Sequence, residues 1–207
     1  MKSVNAKIAG QFVSRETIDR LKIYADLLTK WNPHINLVSG STIKSLWSRH
    51  IEDSAQIFTL VPEAGGSWVD LGSGGGFPGL VIAILAQESD SNLQVTLVES
   101  DVRKATFLRT VIRECKLSAR VLTGRIEALP SLQADIISAR ALAELPQLLK
   151  FANLHLRPNG TALFQKGARW QKELAAVDKS WSFQLDRFTS VTEPEAVILR
   201  MRGIQHA

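Results

Sequence analysis

The chain has 207 residues, 25 Lys and Arg against 20 Asp and Glu, 45% apolar residues and a single cysteine, which excludes a collagen, a mucin, a disulfide scaffold and a disordered tail. A chain of this length buries roughly 70% of the surface its unfolded form exposes, so its core needs neither metal nor disulfide. The net charge of +5 favours an anionic partner without naming one.

In chain order, Ile18, Leu21, Ala25 and Leu28 recur at steps of three and four between charged residues. This predicts a helix over 14–31, capped by Ser14 and stopped by Asn32-Pro33. A second helical stretch follows over about 42–58, and Trp31 and Trp47 read as core. The loop Pro62-Glu63-Ala64-Gly65-Gly66 is the best boundary, dividing an N-terminal helical segment, 1–64, packed on a main domain, 65–207. Beyond it, short apolar runs alternate with helical segments, the signature of a parallel sheet with crossover helices. Strands are predicted over 67–71, 94–98, 119–122, 135–139 and 161–165. Between the second and third, Val102, Ala105, Leu108, Ile112 and Cys115 share one helical face, while Arg103, Lys104, Arg109, Arg113 and Lys116 populate the others. Cys115 is thus a packing residue. Two last runs, 183–188 and 196–201, are joined by Thr192-Glu193-Pro194-Glu195, too short for a crossover helix, so an antiparallel hairpin closes the sheet.

Four histidines and no second thiol leave no zinc-ligand spacing, so no metal is expected. The longest nearly apolar run, residues 77–86, falls short of the roughly 20 residues that span a bilayer. Residues 1–5 open into no hydrophobic signal region, and the expectation is a cytoplasmic protein without membrane contact. Nothing demands more than a monomer.

The run Asp70-Leu71-Gly72-Ser73-Gly74-Gly75-Gly76-Phe77-Pro78-Gly79 sits at the first strand-to-helix turn. Glycines there admit close approach of a ligand to backbone, and the helix start offers free N–H groups. Gly74, Gly76 and Gly79 also satisfy the one, three and six spacing of a nicotinamide site, a loose match in so glycine-rich a segment. Asp70 argues against a pyrophosphate, which its carboxylate would repel, and suits the cationic ammonium and sulfonium of S-adenosylmethionine. Glu99, closing the second strand, can accept both ribose hydroxyls of either cofactor. Ile126 and Glu127 follow the third strand, where adenine should lie.

Substrate enters such sheets over the carboxyl ends of the strands, and the fourth ends in Ser138-Ala139-Arg140-Ala141. No Asn/Asp-Pro-Pro-aromatic turn for an exocyclic amine is present. Arg140 suits acceptors such as guanine O6 and N7 or a phosphate, or else pairs with Glu99 or Glu127 to organise the site. Lys166 and Arg169, with Trp170, add cations on the same edge. His50, in the N-terminal segment, either positions substrate or is a structural hydrogen-bond donor.

These motifs together resemble the RsmG family, formerly called glucose-inhibited division protein B. The resemblance is carried by Trp31-Asn32 with Asn36-Leu37, Arg49-His50-Ile51-Glu52-Asp53-Ser54, the glycine run, Val98-Glu99-Ser100 with Lys104, Arg125-Ile126-Glu127, Ser138-Ala139-Arg140-Ala141 and Lys166-Gly167, in order over residues 14–201. It implies a seven-stranded class I methyltransferase fold and methyl transfer from S-adenosylmethionine to N7 of one guanine in 16S ribosomal RNA. It also implies cofactor contacts at Gly72, Phe77, Ile126, Glu127 and Arg140, with Glu99 as the ribose acid; Asp70, Gly74 and Gly76 complete the expected cofactor set. Arg140, Lys166 and His50 are then candidates to position substrate, and Lys166 and Arg169 to bind RNA. Two alternatives stay open: a nicotinamide-dependent oxidoreductase, and a non-catalytic RNA-binding protein on the same fold.

Overall fold

The structure, a computed structural model, describes residues 4–61, 65–88 and 92–207. The predicted boundary loop falls mostly on residues 62–64, outside the described residues. The chain opens with an antiparallel hairpin that the apolar pattern missed, β1 (Val4–Ile8) and β2 (Gln11–Ser14). Its turn residues Ala9 and Gly10 both have positive φ, 47° and 82°, as a tight hairpin turn requires. An alanine in the first turn position hides the signal, so the N-terminal segment is not purely helical.

Helix α1 (Arg15–Ile35) starts where expected, with the Ser14 hydroxyl accepting the Thr17 N–H at 3.2 Å. It runs on through Asn32-Pro33 because the bond lost at Pro33 lies in the last turn and Asn32 rebuilds the exit. The Asn32 carboxamide oxygen accepts the N–H groups of Leu37 and Val38 at 2.8 and 2.9 Å, and Asn36 ends the helix in the left-handed region. The second expected helix is instead an irregular path of short turns: 3-10 over Gly40–Ser45, π over Trp47–Glu52, one α turn over Asp53–Ala55 and 3-10 again over Gln56–Leu60. Such widened turns recur at functional sites, and this one carries Arg49 and His50, with Asp53 capping its end.

Every sheet strand expected from the sequence is present. Strands β3 (Ser67–Leu71), β4 (Gln94–Glu99), β5 (Ala119–Thr123), β6 (Ala134–Arg140) and β7 (Leu156–Lys166) are parallel, and β8 (Trp181–Thr189) and β9 (Val197–His206) form the antiparallel closing pair. The order is β5-β4-β3-β6-β7-β9-β8. Crossover helices are α2 (Gly79–Glu88), α3 (Val102–Glu114) and α4 (Leu145–His155), with a short α5 (Trp170–Ala175) before the hairpin.

Alternation along the strands divides the core in two. Trp68, Val95 and Leu97 meet Leu80 of α2, Phe107 and Leu108 of α3, and Leu21, Tyr24 and Leu28 of α1. On the opposite face Val69, Leu71, Ile137 and Phe164 meet Leu145, Leu149 and Ala152 of α4. The N-terminal segment therefore shares the core of the sheet, and Leu21 and Leu28, both fully buried, contribute about 1.5–3 kcal/mol each. On α3 the expected stripe holds at Ala105, Leu108 and Cys115, but Val102 is exposed at the first turn and Phe107 and Val111 point inward. Trp31 and Trp47 are half-buried at the edge of the core, whereas Trp68 is fully enclosed. Burial pushes the Cys115 thiol up to about 11, consistent with a packing role.

Candidate cofactor and substrate site

From β3 the chain first builds β4 and β5 to one side, then returns to place β6 and β7 on the other. Such a switch point opens a crevice beyond the carboxyl ends of the strands. A cavity of about 1430 Å³ occupies it. One half is walled by Gly72 and Gly74 of the glycine loop, Phe77, Glu99, Ile126 and Glu127; the other by His50, Asp53, Arg140, Gln165 and Lys166.

The loop's glycines have separate reasons. Gly74 has φ 54°, and a Cβ built there meets nothing closer than the Gly72 carbonyl oxygen at 3.8 Å, so the loop is open to a ligand at this point. Gly76 has φ 97°, and a Cβ there would strike Leu80 and the Tyr24 hydroxyl; it serves packing and does not line the cavity. The Glu99 carboxylate ties the loop to the strand end, its Oε2 accepting the Gly74 N–H and its Oε1 the Asp101 N–H, both at 2.8 Å. Each carboxylate oxygen has a second lone pair, leaving capacity for a ribose diol.

Asp70 does not reach the cavity. Alternation along β3 turns its side chain, with Trp68, onto the α2 face beneath Gly79. There Trp68 Nε1 donates to Ser138 Oγ at 2.9 Å, and Ser138 Oγ donates to Asp70 Oδ1 at 2.7 Å. Burial pushes the Asp70 carboxyl up to about 6. Asp70 supports the loop from within and, contrary to expectation, does not line the cavity.

Arg140 pairs with neither Glu99 nor Glu127. It forms an ion pair with Asp53 at 3.3 Å, donates to the Arg49 carbonyl oxygen at 3.2 Å and to His50 Nδ1 at 2.8 Å, and lies over the Phe77 ring at 4.9 Å. Because a guanidinium only donates, Nδ1 must be the accepting nitrogen, and His50 Nε2–H donates to Thr42 Oγ1 at 2.8 Å. The His50 ring stacks on Phe77, with centroids 5.0 Å apart. Burial, then Arg140 and Arg49, lower its pKa to about 4, so it is neutral. Neither ring nitrogen is free, which favours the structural reading of His50 over a base.

Asp53 is the hub that sequence reasoning passed over. Besides Arg140 it accepts Gln165 Nε2 at 2.9 Å, Ser190 and Thr192 hydroxyls at 3.1 Å, and Gln56 Nε2 at 2.8 Å. It joins the N-terminal segment to β6, β7 and the loop before β9; its only sequence signal was its place in the 49–54 run. Lys166 is buried, donates to the Ala143 carbonyl oxygen at 2.9 Å and pairs with Glu173, whose carboxylate also accepts the Leu145 N–H that starts α4. Its charge is therefore compensated inside the fold, unlike that of exposed Arg169. Two further supports carried no motif: Tyr24 donates to the Gly75 carbonyl oxygen, and His155 Nε2 donates to that of Ile126 at 3.0 Å.

Strand order, antiparallel closing pair and switch-point cavity define a class I S-adenosylmethionine-dependent methyltransferase fold. Solved structures agree on the fold: a TehB-like SAM-dependent methyltransferase from Corynebacterium glutamicum superposes with TM-score 0.59 at 14% identity, over 89% of this chain and all of that one. An O-methyltransferase from Bacillus cereus in complex with SAH gives 0.58 at 16% identity, covering 92% and 91%. The family model GidB, rRNA small subunit methyltransferase G, matches residues 17–199, and the chain belongs to that family. Relatives called ribosomal RNA small subunit methyltransferase G are 54% identical over 193 residues in Ruegeria sp. (strain TM1040) and 57% over 192 in Ruegeria pomeroyi, each covering 93% of this chain and 94% of the relative.

Proposed function

We propose that this protein transfers the methyl group of S-adenosylmethionine to N7 of a guanine in the 16S ribosomal RNA of the small ribosomal subunit. Family membership over 17–199 supports the reaction. The observation that carries the reading within the molecule is one cavity joining an open glycine loop to a cation-lined wall whose histidine has both ring nitrogens engaged.

The donor set fits the cofactor: Gly74 leaves an open cradle, Glu99 keeps lone pairs for a ribose, and the lip at Ile126 and Glu127 lies where adenine belongs. Gly72, Gly74, Phe77, Glu99, Ile126 and Glu127 would hold it. When bound, S-adenosylmethionine supplies an electrophilic sulfonium methyl. Guanine N7 has a lone pair and no proton, so the protein's task is orientation and not proton abstraction. Arg140 is suited to that task as a cation held rigidly by Asp53, by the neutral His50 ring and by Phe77, with His50 acting through it. Arg169 is an exposed cation of the cavity rim that would meet RNA.

A nicotinamide oxidoreductase would need a proton-transferring side chain in the cavity. The chain's single tyrosine, Tyr24, is buried with its hydroxyl committed to Gly75. The reading has the protein act as a single chain in the cytoplasm, without a metal. No described helix is long and apolar enough to cross a membrane, and the described residues include no group of three or more His, Cys, Asp or Glu placed to hold a metal ion. The test is tritium transfer from labelled S-adenosylmethionine to 16S RNA, naked and in 30S subunits, with mapping of the modified base. Binding of S-adenosylhomocysteine and of RNA without transfer would leave the non-catalytic alternative.

A further inference from the structure

The cations around the cavity fall into two sets. Those in its substrate half each have a carboxylate: Arg140 with Asp53, Lys166 with Glu173, and Arg49 with Glu193 at 3.1 Å. Three others line the cavity with no side-chain partner among the described residues: Lys104 at the start of α3, Arg125 after β5, and Arg169 before α5. Lys104 and Arg125 stand on the lip formed by the ends of β4 and β5, and Arg169 stands across the opening beyond the end of β7.

Cations that have no direct partner at the lip are available to an anion from outside. The cofactor does not supply it there, because the adenosine end that belongs beside Ile126 and Glu127 is neutral. The lip's own carboxylates balance the two cations in number but pair with neither of them. Glu99 is buried and bonded to the backbone of residues 74 and 101, Asp101 is paired with Arg103, and exposed Glu127 makes no ion pair with Arg125.

We propose that Lys104 and Arg125 are phosphate contacts for the RNA, so that its backbone crosses the mouth of the cavity from the β4–β5 lip to Arg169 and passes over the adenosine end of the cofactor site. This rests on the methyltransferase reading and adds a contact surface to it. Phosphate contacts of this kind confer affinity and register, not base choice.

The test compares wild type with Lys104→Gln/Arg125→Gln and with Arg169→Gln. Binding to a 16S rRNA transcript is measured over a range of KCl concentrations, and binding to S-adenosylhomocysteine by calorimetry. The double variant should keep its S-adenosylhomocysteine affinity and its melting temperature. Its slope of log affinity against log salt should become shallower by about 1.4–1.8 units, for two lost contacts at roughly 0.7–0.9 each, and Arg169→Gln should lose about half that. An unchanged slope in a folded double variant overturns the proposal. So does an S-adenosylhomocysteine affinity weakened more than about threefold, which would place the pair in the cofactor pocket. Failure of the wild type to methylate transcript or 30S subunits would strike the underlying reading instead, so the two failures are separable.

Discussion

Tyr24 of α1 donates its hydroxyl to the carbonyl oxygen of Gly75 at 2.5 Å, so the N-terminal segment holds the glycine loop from behind. The ring is fully buried and packs at 5.1 Å against Phe77, the residue on which both His50 and Arg140 rest. Burial pushes the phenol pKa well above its ordinary value, so the donor stays protonated. Tyr24→Phe leaves the Gly75 oxygen without its partner and should cost about 1–3 kcal/mol of stability. It should also weaken S-adenosylhomocysteine binding several-fold. Denaturant unfolding and calorimetry check both; lost stability with undiminished cofactor affinity would confine Tyr24 to packing.

Asp53 carries the opposite wall. Asp53→Ala strands Arg140, whose side chain is only 17% exposed, and unties Gln165, Ser190 and Thr192 together. Breaking one side of such an enclosed pair costs roughly 3 kcal/mol. Methyl transfer should fall steeply in kcat, while S-adenosylhomocysteine affinity changes little because Asp53 lies in the other half of the cavity. A variant as stable and as active as wild type would remove Asp53 from the centre of the site.

Glu99→Ala should weaken S-adenosylhomocysteine binding by about 1.5–3 kcal/mol, through the lost ribose acceptor and through release of the Gly74 N–H that it now fixes. Glu99→Gln separates the two causes. One carboxamide oxygen can still accept from Gly74, so the conservative variant should recover part of the affinity. An unchanged dissociation constant in both would reduce Glu99 to a strand-end residue.

His50 should leave no mark on the pH profile of methyl transfer between pH 5 and 8. Its pKa lies near 4, so only below that value does it protonate and cease to accept from Arg140. A rate limb near pH 6.5 that vanishes in His50→Gln would instead make it a titrating participant.

What was legible in the sequence follows from period. Strands buried on both faces read as apolar runs, which is why β3, β4 and β6 are expected within a residue of their observed bounds, whereas only the buried second half of β7 is, its exposed start at 156–159 carrying no apolar run; the short linker at 192–195 points to the antiparallel hairpin. The glycine loop and Glu99 were legible because local backbone needs select residue types. Nearness to the loop in sequence is misleading for Asp70, because strand alternation faces it with Trp68 toward α2. The Asp53 hub, the Glu173 partner of Lys166 and the Tyr24–Gly75 bond were invisible for a different reason. The Asp53–Thr192 and Tyr24–Gly75 bonds join positions 139 and 51 residues apart, and Lys166 meets Glu173 across the turn between β7 and α5; no spacing rule reaches across elements that meet only in the fold.

Asp70 supplies the remaining prediction, on stability and pH. Its carboxyl lies under the glycine loop with one oxygen accepting from Ser138, and burial raises it from an ordinary 3.8 to about 6, the surrounding hydrogen bonds pulling only part of the way back. Between those two values the folded protein keeps a proton that the unfolded chain has released. Stability attributable to Asp70 therefore falls as pH rises from about 4 to 6 and stays at its lower level above, a loss of about 3 kcal/mol for a shift of about two units. Asp70→Asn is neutral throughout, so the unfolding free energy of wild type minus that of the variant should decline by about this amount between pH 4 and 7. Taking the difference cancels the other titrating groups, His50 included, provided that both proteins fold alike. Urea unfolding at pH 4, 5, 6 and 7 gives the curve. A flat difference would mean that Asp70 ionises with an ordinary carboxyl value, and that the support beneath the loop is a charged group solvated by the hydroxyls of Ser73 and Ser138.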